Sequence, residues 1–266
     1  MVRGNNCMGG KMQKKASCDE KIVDILWTGG FDSTFRIVQL SRYKVLIQPY
    51  YLSDQRKSEP YELKTIEQIV KKLRVHEMTK CKIAPLIVID KKQREEQVEV
   101  SAAFSRILEK DFIGSQYKWL GSFALNHSGI ELCVHEDDKA ISVIKKYGRF
   151  VYCCDDTIGE YFEIEREQSL EDINLLFGNF HFPLLKYTKI QMRDAYIANG
   201  YEDIMNLTWF CHSPIGGCPC GVCNPCRYTI EEGLKERFTT RALLRYHLRI
   251  KEEKIFEKLN KFSKGR

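Results

Sequence analysis

Residues 27–34 read Trp27-Thr28-Gly29-Gly30-Phe31-Asp32-Ser33-Thr34, and no other stretch of this 266-residue chain restricts the fold as strongly. Ile22, Val23, Ile25 and Leu26 precede it as an apolar run of strand length. Phe35, Ile37, Val38 and Leu40 follow at helical spacing. Strand, glycine turn, hydroxyl side chains and helix, in that order, make a cradle for pyrophosphate. Glycines let the backbone approach an anion closely. The free amides and the positive end of the helix then hold it. The turn lacks the Gly-Lys-Ser/Thr ending of a Walker loop and the G-x-G-x-x-G of a dinucleotide fold. The plainer alternative is a Gly-Gly turn in which Asp32 or Ser33 caps the helix; the apolar runs on both flanks favour the cradle.

The rest of the chain alternates strand-like and helix-like segments. Lys21–Trp27 is read as a strand, 32–41 as a helix, and Lys44–Leu52 as a second strand. A helix over Pro60–Leu73 carries Ile66, Ile69, Val70 and Leu73 on one face. Ile83–Ile89 is a third strand, 92–110 an amphipathic helix, and 115–127 another helix. Ile130–His135 is a fourth strand and Phe150–Cys154 a fifth. This alternation implies an α/β fold with a doubly wound parallel sheet. Ligands of such sheets sit at the strands' C-terminal ends, where the Thr28 turn falls. From Ile164 the pattern becomes mostly helical, through 169–177 and 189–199 to two basic helices near 224–235 and 240–262. The expected division is a flexible tail over 1–20, a nucleotide-binding α/β domain over 21–165, and a helical region over 166–266.

Hydrophobic residues make up 43% of the chain, enough for a packed core, and the net charge of +6 suits an anionic ligand without demanding a nucleic acid. No apolar run reaches the roughly 18–20 residues of a membrane span. Met1 to Glu20 has no apolar core of a signal peptide. A cytoplasmic protein with no membrane association is the expectation.

Five of the 11 cysteines fall between Cys211 and Cys226: Cys211 itself and four in the run Cys218-Pro219-Cys220-Gly221-Val222-Cys223-Asn224-Pro225-Cys226. Overlapping C-x-x-C turns bring thiolates to one point, as tetrahedral Zn²⁺ requires. Cys220, Cys223 and Cys226 are the surest ligands, with Cys211 as the fourth and Cys218 as the spare. An iron–sulfur cluster is the weaker alternative, and His212 a minor candidate. A closed four-thiolate zinc is structural and would tie the C-terminal helices to the sheet. Cys133, Cys153 and Cys154 sit in strand-like runs and read as small core hydrophobes.

The 28–33 turn resembles the S/T-G-G-x-D-S motif of the PP-loop ATP pyrophosphatases, with Thr28 in the usual serine position. Together with Thr208-Trp209-Phe210-Cys211 and Cys220-Gly221-Val222-Cys223-Asn224-Pro225-Cys226, it is similar to the 7-cyano-7-deazaguanine synthases (QueC). Pro183-Leu184, Lys189 and Gly200 match that family loosely, as do Asp54-Gln55-Arg56 and Glu62-Leu63. The likeness spans roughly Ile22 to Glu232. It departs at Ser58-Glu59-Pro60 and Ser115-Gln116-Tyr117, which would shape the substrate pocket.

The resemblance implies a PP-loop fold binding ATP and Mg²⁺. Thr28, Ser33 and Thr34, with the Gly29 and Gly30 amides, would hold phosphate oxygens, and Leu26 would line the nucleotide site. Asp32 would start the helix and help place Mg²⁺; Lys189 would be the cation, and Arg227 a second candidate. Catalysis would rest on Asp32, Ser33 and Lys189. A carboxylate on a deazapurine would be adenylated, and ammonia or an amine would displace AMP. Three rivals stand beside this. They are a tRNA-thiolating PP-loop enzyme, a divergent relative in phage defence with a macromolecular acceptor, and a non-enzymatic docking module. The last would use Arg241, Arg245, His247, Arg249 and Lys251 on nucleic acid or protein. Leu244, Leu248, Ile255 and Leu259 would pack on the domain or on a second subunit, and a homodimer is the default oligomer.

Overall fold

Val23 and Ile25 point to one side of the first strand, and Leu26 to the other, so this strand is buried on both faces. That demand shapes the rest of the molecule. In the computed structural model, residues 20–136 and 138–264 are described, with 257–264 described by their backbone alone. The tail expected over 1–20 therefore lies outside the described residues apart from Glu20.

β1 (Lys21–Leu26) leads through the glycine turn into α1 (Phe31–Ser41), and β2 (Val45–Leu52) is followed by α2 (Glu59–Val75). Two short strands, β3 (Lys82–Ile83) and β4 (Ile87–Ile89), precede α3 (Val98–Leu108) and α4 (Gln116–Ala124). Next come β5 (Ile130–Glu131), α5 (Lys139–Tyr147), β6 (Phe150–Asp155), β7 (Gly159–Ile164), α6 (Glu171–Phe177) and β8 (Phe180–His181). The chain ends in helices α7 (Lys189–Ala198), α8 (Glu202–Met205), α9 (Asn224–Glu231) and α10 (Thr240–Lys264).

The main sheet runs β3–β2–β1–β5–β8, with β4 sharing the β2 edge beyond β3, and its strands pair in parallel. Helices cover both faces. On one side Val23, Ile25, Trp27 and Ile47 pack against Phe35 and Ile37 of α1, Ile66 and Ile69 of α2, and Met192 and Tyr196 of α7. On the other, Leu26, Leu52 and Ile130 meet Val100 and Phe104 of α3, Leu120 of α4, Ile144 of α5 and Phe177 of α6. The order reverses between β1 and β5, and in sheets of this kind the ligand crevice lies beyond the strands' C-terminal ends at that reversal. The glycine turn sits there.

Five local readings change. The strand expected over Ile83–Ile89 is broken at Pro85, which has no N–H for the ladder; the Ala84 N–H still reaches the Ile47 carbonyl at 2.9 Å. The helix expected from 92 starts at Val98, because Asp90 and Gln93 form a capping box around a separate short turn at Lys91–Gln93. Only Ile130 and Glu131 of the fourth strand pair, since the Val134 N–H turns back onto the Leu132 carbonyl at 3.0 Å. Phe150–Cys154 is not a strand of the main sheet. It forms an antiparallel hairpin with β7, closed where the Asp155 carboxylate accepts the Thr157 and Ile158 amides at 2.8 and 3.1 Å. Phe162 of that hairpin bridges Phe182, and the sheet's last strand is β8, inside the stretch expected to be helical.

Candidate functional site

The turn after β1 is held from below. The Trp27 amide donates to Tyr50 O at 2.8 Å, and its fully buried indole donates to the Thr34 hydroxyl at 3.0 Å. Gly29 has φ +69°, and a Cβ there would lie 3.0 Å from Glu62 O and 3.2 Å from Ile66 Cγ1. The turn therefore rests directly on α2, and only glycine meets both demands. Gly30 is the N-cap of α1 and accepts the Thr34 amide at 3.1 Å. No side chain caps this helix, so neither Asp32 nor Ser33 plays the N-cap part of the plainer alternative. Its first-turn amides face the crevice with the positive end of an 11-residue helix behind them.

Asp32 carries the most telling atom. Its Oδ1 is buried and has no hydrogen-bond partner among the described residues. Burial pushes its carboxyl above the ordinary range; Lys189 and His135 pull against that, while Glu232 and Asp138 add to it. A buried carboxylate oxygen without a partner costs free energy that a bound cation would offset. The first turn of α1, the segment after β5 and the head of α7 thus meet around one carboxylate. Lys189 begins α7 behind a Thr188–Gln191 capping box, with its Nζ 3.1 Å from Glu232 Oε1.

The other expected residues separate by depth. Thr28 is exposed at the mouth, and Ser33 lies just beneath the surface. Thr34 is fully buried and braces the turn through the Trp27 indole, one helical turn below the crevice. Leu26 packs in the core beneath. Arg227 pairs with Glu253 of α10, at 3.1 Å.

The segment after β2 lies beside the turn. Arg56 stands 3.5 Å from Glu62 and 3.8 Å from Asp54, and Glu62 accepts the Tyr51 hydroxyl at 2.6 Å. Gln55 has φ +54°, a left-handed conformation uncommon for a side-chain-bearing residue. Tyr117, near the head of α4, donates to Asp138 at 3.3 Å, and Asp138 is one of the charges that act on the Asp32 carboxyl.

Sequence reading missed the ion pair that fixes α1 to β5. Arg36 grips Glu131 with Nε–Oε2 at 2.8 Å and Nη2–Oε1 at 2.6 Å, and both side chains are almost wholly buried. Its only sequence signal is an arginine on the apolar face of an amphipathic helix.

The cysteine loop closes on itself. The Sγ atoms of Cys211, Cys220, Cys223 and Cys226 all lie within 4.8 Å of one another. Cys220 Sγ is 3.8 Å from Cys226 Sγ, and Cys223 Sγ is 4.0 Å from Cys211 Sγ. Four sulfurs about 2.3 Å from one tetrahedral ion stand about 3.8 Å apart, so these thiols could hold a metal such as zinc. Amides point at sulfur, among them Cys220 to Cys211 at 3.2 Å, and Val222 and Cys223 to Cys220 at 3.4 and 3.3 Å. Shared protons pull the Cys223 thiol down and push Cys211 and Cys226 up, which is how thiols behave when packed too closely to ionise together without a cation. Cys218 is left out; it bridges Ile215 in a neighbouring turn, and His212 is exposed. α10 seals the loop. Gly221 has φ +83°, a Cβ there would lie 2.2 Å from Ala242 O, and Arg245 Nε donates to Cys220 O at 2.8 Å.

The two loops touch through Trp209. Its amide donates to Gly29 O at 2.9 Å, its indole donates to Cys211 O at 2.8 Å, and its ring stacks on Tyr61 of α2 at 4.7 Å. On the far side of the loop, Cys226 lies in α9, and Glu232, just past that helix, holds Lys189 near Asp32. Compared with protein-family models and with curated protein sequences, the chain matches none.

Proposed function

We propose that this protein is an ATP-dependent, QueC-like enzyme of the PP-loop type. It would adenylate a carboxylate on a 7-deazaguanine-type substrate and pass the acyl group to ammonia or an amine. The observation that carries this reading is the uncapped head of α1 with the partnerless Asp32 Oδ1 beside it, at the sheet's reversal point. Amides without a side-chain cap favour an anion, and an orphaned carboxylate oxygen favours a cation. A nucleotide triphosphate with its Mg²⁺ supplies both.

The chemistry balances without a covalent enzyme intermediate. A carboxylate oxygen of the acceptor attacks the α-phosphorus of ATP, the bond to the β-phosphate oxygen breaks, and pyrophosphate leaves. Ammonia then attacks the acyl carbon, AMP departs, and one proton goes to solvent, giving the amide. A second adenylation, on the amide oxygen, followed by loss of AMP and two N–H protons gives the nitrile. The Gly29–Ser33 backbone and the Ser33 and Thr28 hydroxyls would hold the departing pyrophosphate, and Lys189 would balance its charge. Mg²⁺, held beside Asp32, would neutralise charge developing on the phosphates. The four thiolates would hold a structural zinc. Cys133 lies near Asp32, but burial pushes its thiol well up. A protonated thiol is a poor nucleophile, which weighs against the thiolation reading.

The test is to incubate zinc-replete protein with ATP, Mg²⁺, 7-carboxy-7-deazaguanine and ammonium, and to resolve AMP and deazapurines by mass spectrometry. AMP with an amide or nitrile supports the reading. AMP without a modified base moves the acceptor elsewhere, with a macromolecule next to be tried. Full ATP-dependent activity in a Ser33→Ala variant would contradict the mechanism.

A further inference from the structure

We infer that Trp209 is a positioning residue that couples the cysteine-loop metal to the glycine turn, so that nucleotide affinity depends on metal occupancy. The inference rests on the nucleotide reading above and goes beyond a merely structural zinc. Three contacts on one residue carry it. The Trp209 amide holds Gly29 O at 2.9 Å, so the turn's central carbonyl has its donor in the cysteine segment. The indole N–H donates to the backbone carbonyl of Cys211 at 2.8 Å, which ties the Trp209 ring to the main chain of a residue whose thiol belongs to the four-sulfur cluster. The ring stacks on Tyr61, one residue before the Glu62 carbonyl against which Gly29 is pressed.

The geometry explains why this residue, rather than the sheet alone, sets the turn. β1 ends at Leu26, and the ladder to β2 ends with the Trp27 amide. Beyond it, the Gly29 carbonyl is the turn's attachment to the chain's C-terminal part. Without a metal nothing bridges the four facing sulfurs, and the segment that carries Cys211 loses its anchor to the rest of the loop. Trp209 would then release Gly29, and the amides at the head of α1 would no longer be pre-aimed at an anion. Pre-organisation of this kind appears as affinity. Linkage makes it reciprocal: whatever factor zinc adds to nucleotide binding, nucleotide adds to zinc retention.

The experiment uses the full chain, with zinc counted, and reads two quantities. One is hydrogen exchange in the peptide covering residues 28–35, where the Thr34 amide reports the first turn of α1. The other is the affinity for α,β-methylene-ATP with Mg²⁺, which cannot be cleaved at the α–β bridge. Removing zinc from the wild-type protein is expected to speed exchange in that peptide and to weaken analogue binding about tenfold. Trp209→Phe keeps the stack and the backbone amide but loses the indole donor. At full zinc content it is expected to bind the analogue about three- to tenfold more weakly. His212→Ala, at an exposed neighbour of Cys211, is expected to leave both readouts unchanged. Wild-type affinity in zinc-loaded Trp209→Phe, or unchanged exchange over 28–35 after zinc removal, would overturn the coupling. If exchange follows zinc but no form of the protein binds the analogue, the coupling stands and the nucleotide reading fails.

Discussion

The glycine turn and the cysteine loop are both tight turns that need glycine in a left-handed conformation and hand the chain into a helix, yet their polar groups are treated in opposite ways. In the cysteine loop the groups are satisfied from within. Amides point at sulfur, four thiols face one another, and α10 covers the whole. In the glycine turn they are left waiting. Among the described residues no side chain caps the helix head and Asp32 Oδ1 has no partner, and Thr28 stands in solvent. A closed set of ligands suits a metal that stays, and an open set of donors beside an orphaned carboxylate suits a ligand that comes and goes.

The comparison breaks most readily at Gly221. A Cβ there would meet Ala242 O in a conformation already strained for L residues. Gly221→Ala is therefore expected to cost more than about 4 kcal/mol and to take the metal with it. Thermal unfolding and zinc content check this; a folded, metal-loaded variant would mean that the loop is not closed by α10. Next in size is the support beneath the glycine turn. Arg36→Met leaves the Glu131 carboxylate buried and unpaired, for an expected loss of about 3 kcal/mol or more in denaturant unfolding. The double variant Arg36→Met/Glu131→Leu should recover most of it, since an apolar pair replaces a desolvated ionic one.

Gly29→Ala separates the two loops. The added Cβ meets Glu62 O at 3.0 Å with φ +69°, so about 1–3 kcal/mol of local strain is expected. Zinc content should hold while affinity for the ATP analogue falls. The smallest stability effect, and the sharpest in sign, belongs to Asp32→Asn. Burial raises the Asp32 pKa above 3.8 in the folded state. The folded protein therefore holds that proton more tightly than the unfolded chain does, and wild-type stability falls as pH rises through the raised value. Asp32→Asn should thus melt higher than wild type at neutral pH, and the gain should vanish as the pH falls below the unfolded carboxyl range. Its Mg²⁺-dependent nucleotide binding should be lost. A variant that melts lower at neutral pH, with nucleotide binding intact, would make Asp32 structural.

Much of this contrast was legible in the residues. The two motifs placed the glycine turn at a strand end and gathered Cys211, Cys220, Cys223 and Cys226, because short-range spacing fixes which groups a tight turn can bring together. α1, α2, α6 and α7 matched their apolar periodicity to within about two residues. What escaped depends on distant partners. β8 pairs over two residues and is too short to show a period. The β6–β7 hairpin carries an alternation that cannot reveal which sheet it joins. The Arg36–Glu131 pair spans 95 positions and leaves no local trace. Thr34 follows the motif directly, yet helix geometry turns its hydroxyl inward to Trp27. Of the basic residues on α10, Arg245 is spent on the cysteine loop and Arg249 lies 3.1 Å from Glu253, so a helix that reads as a docking face is partly bracing.

The most direct test is a calorimetric titration of α,β-methylene-ATP with Mg²⁺ into zinc-counted protein, with Asp32→Asn run in parallel. One nucleotide bound per chain by the wild-type protein and none by Asp32→Asn is the expected result. Absence of binding to the metal-replete wild type, or equal binding by both proteins, would contradict the claim that the glycine turn is a nucleotide site.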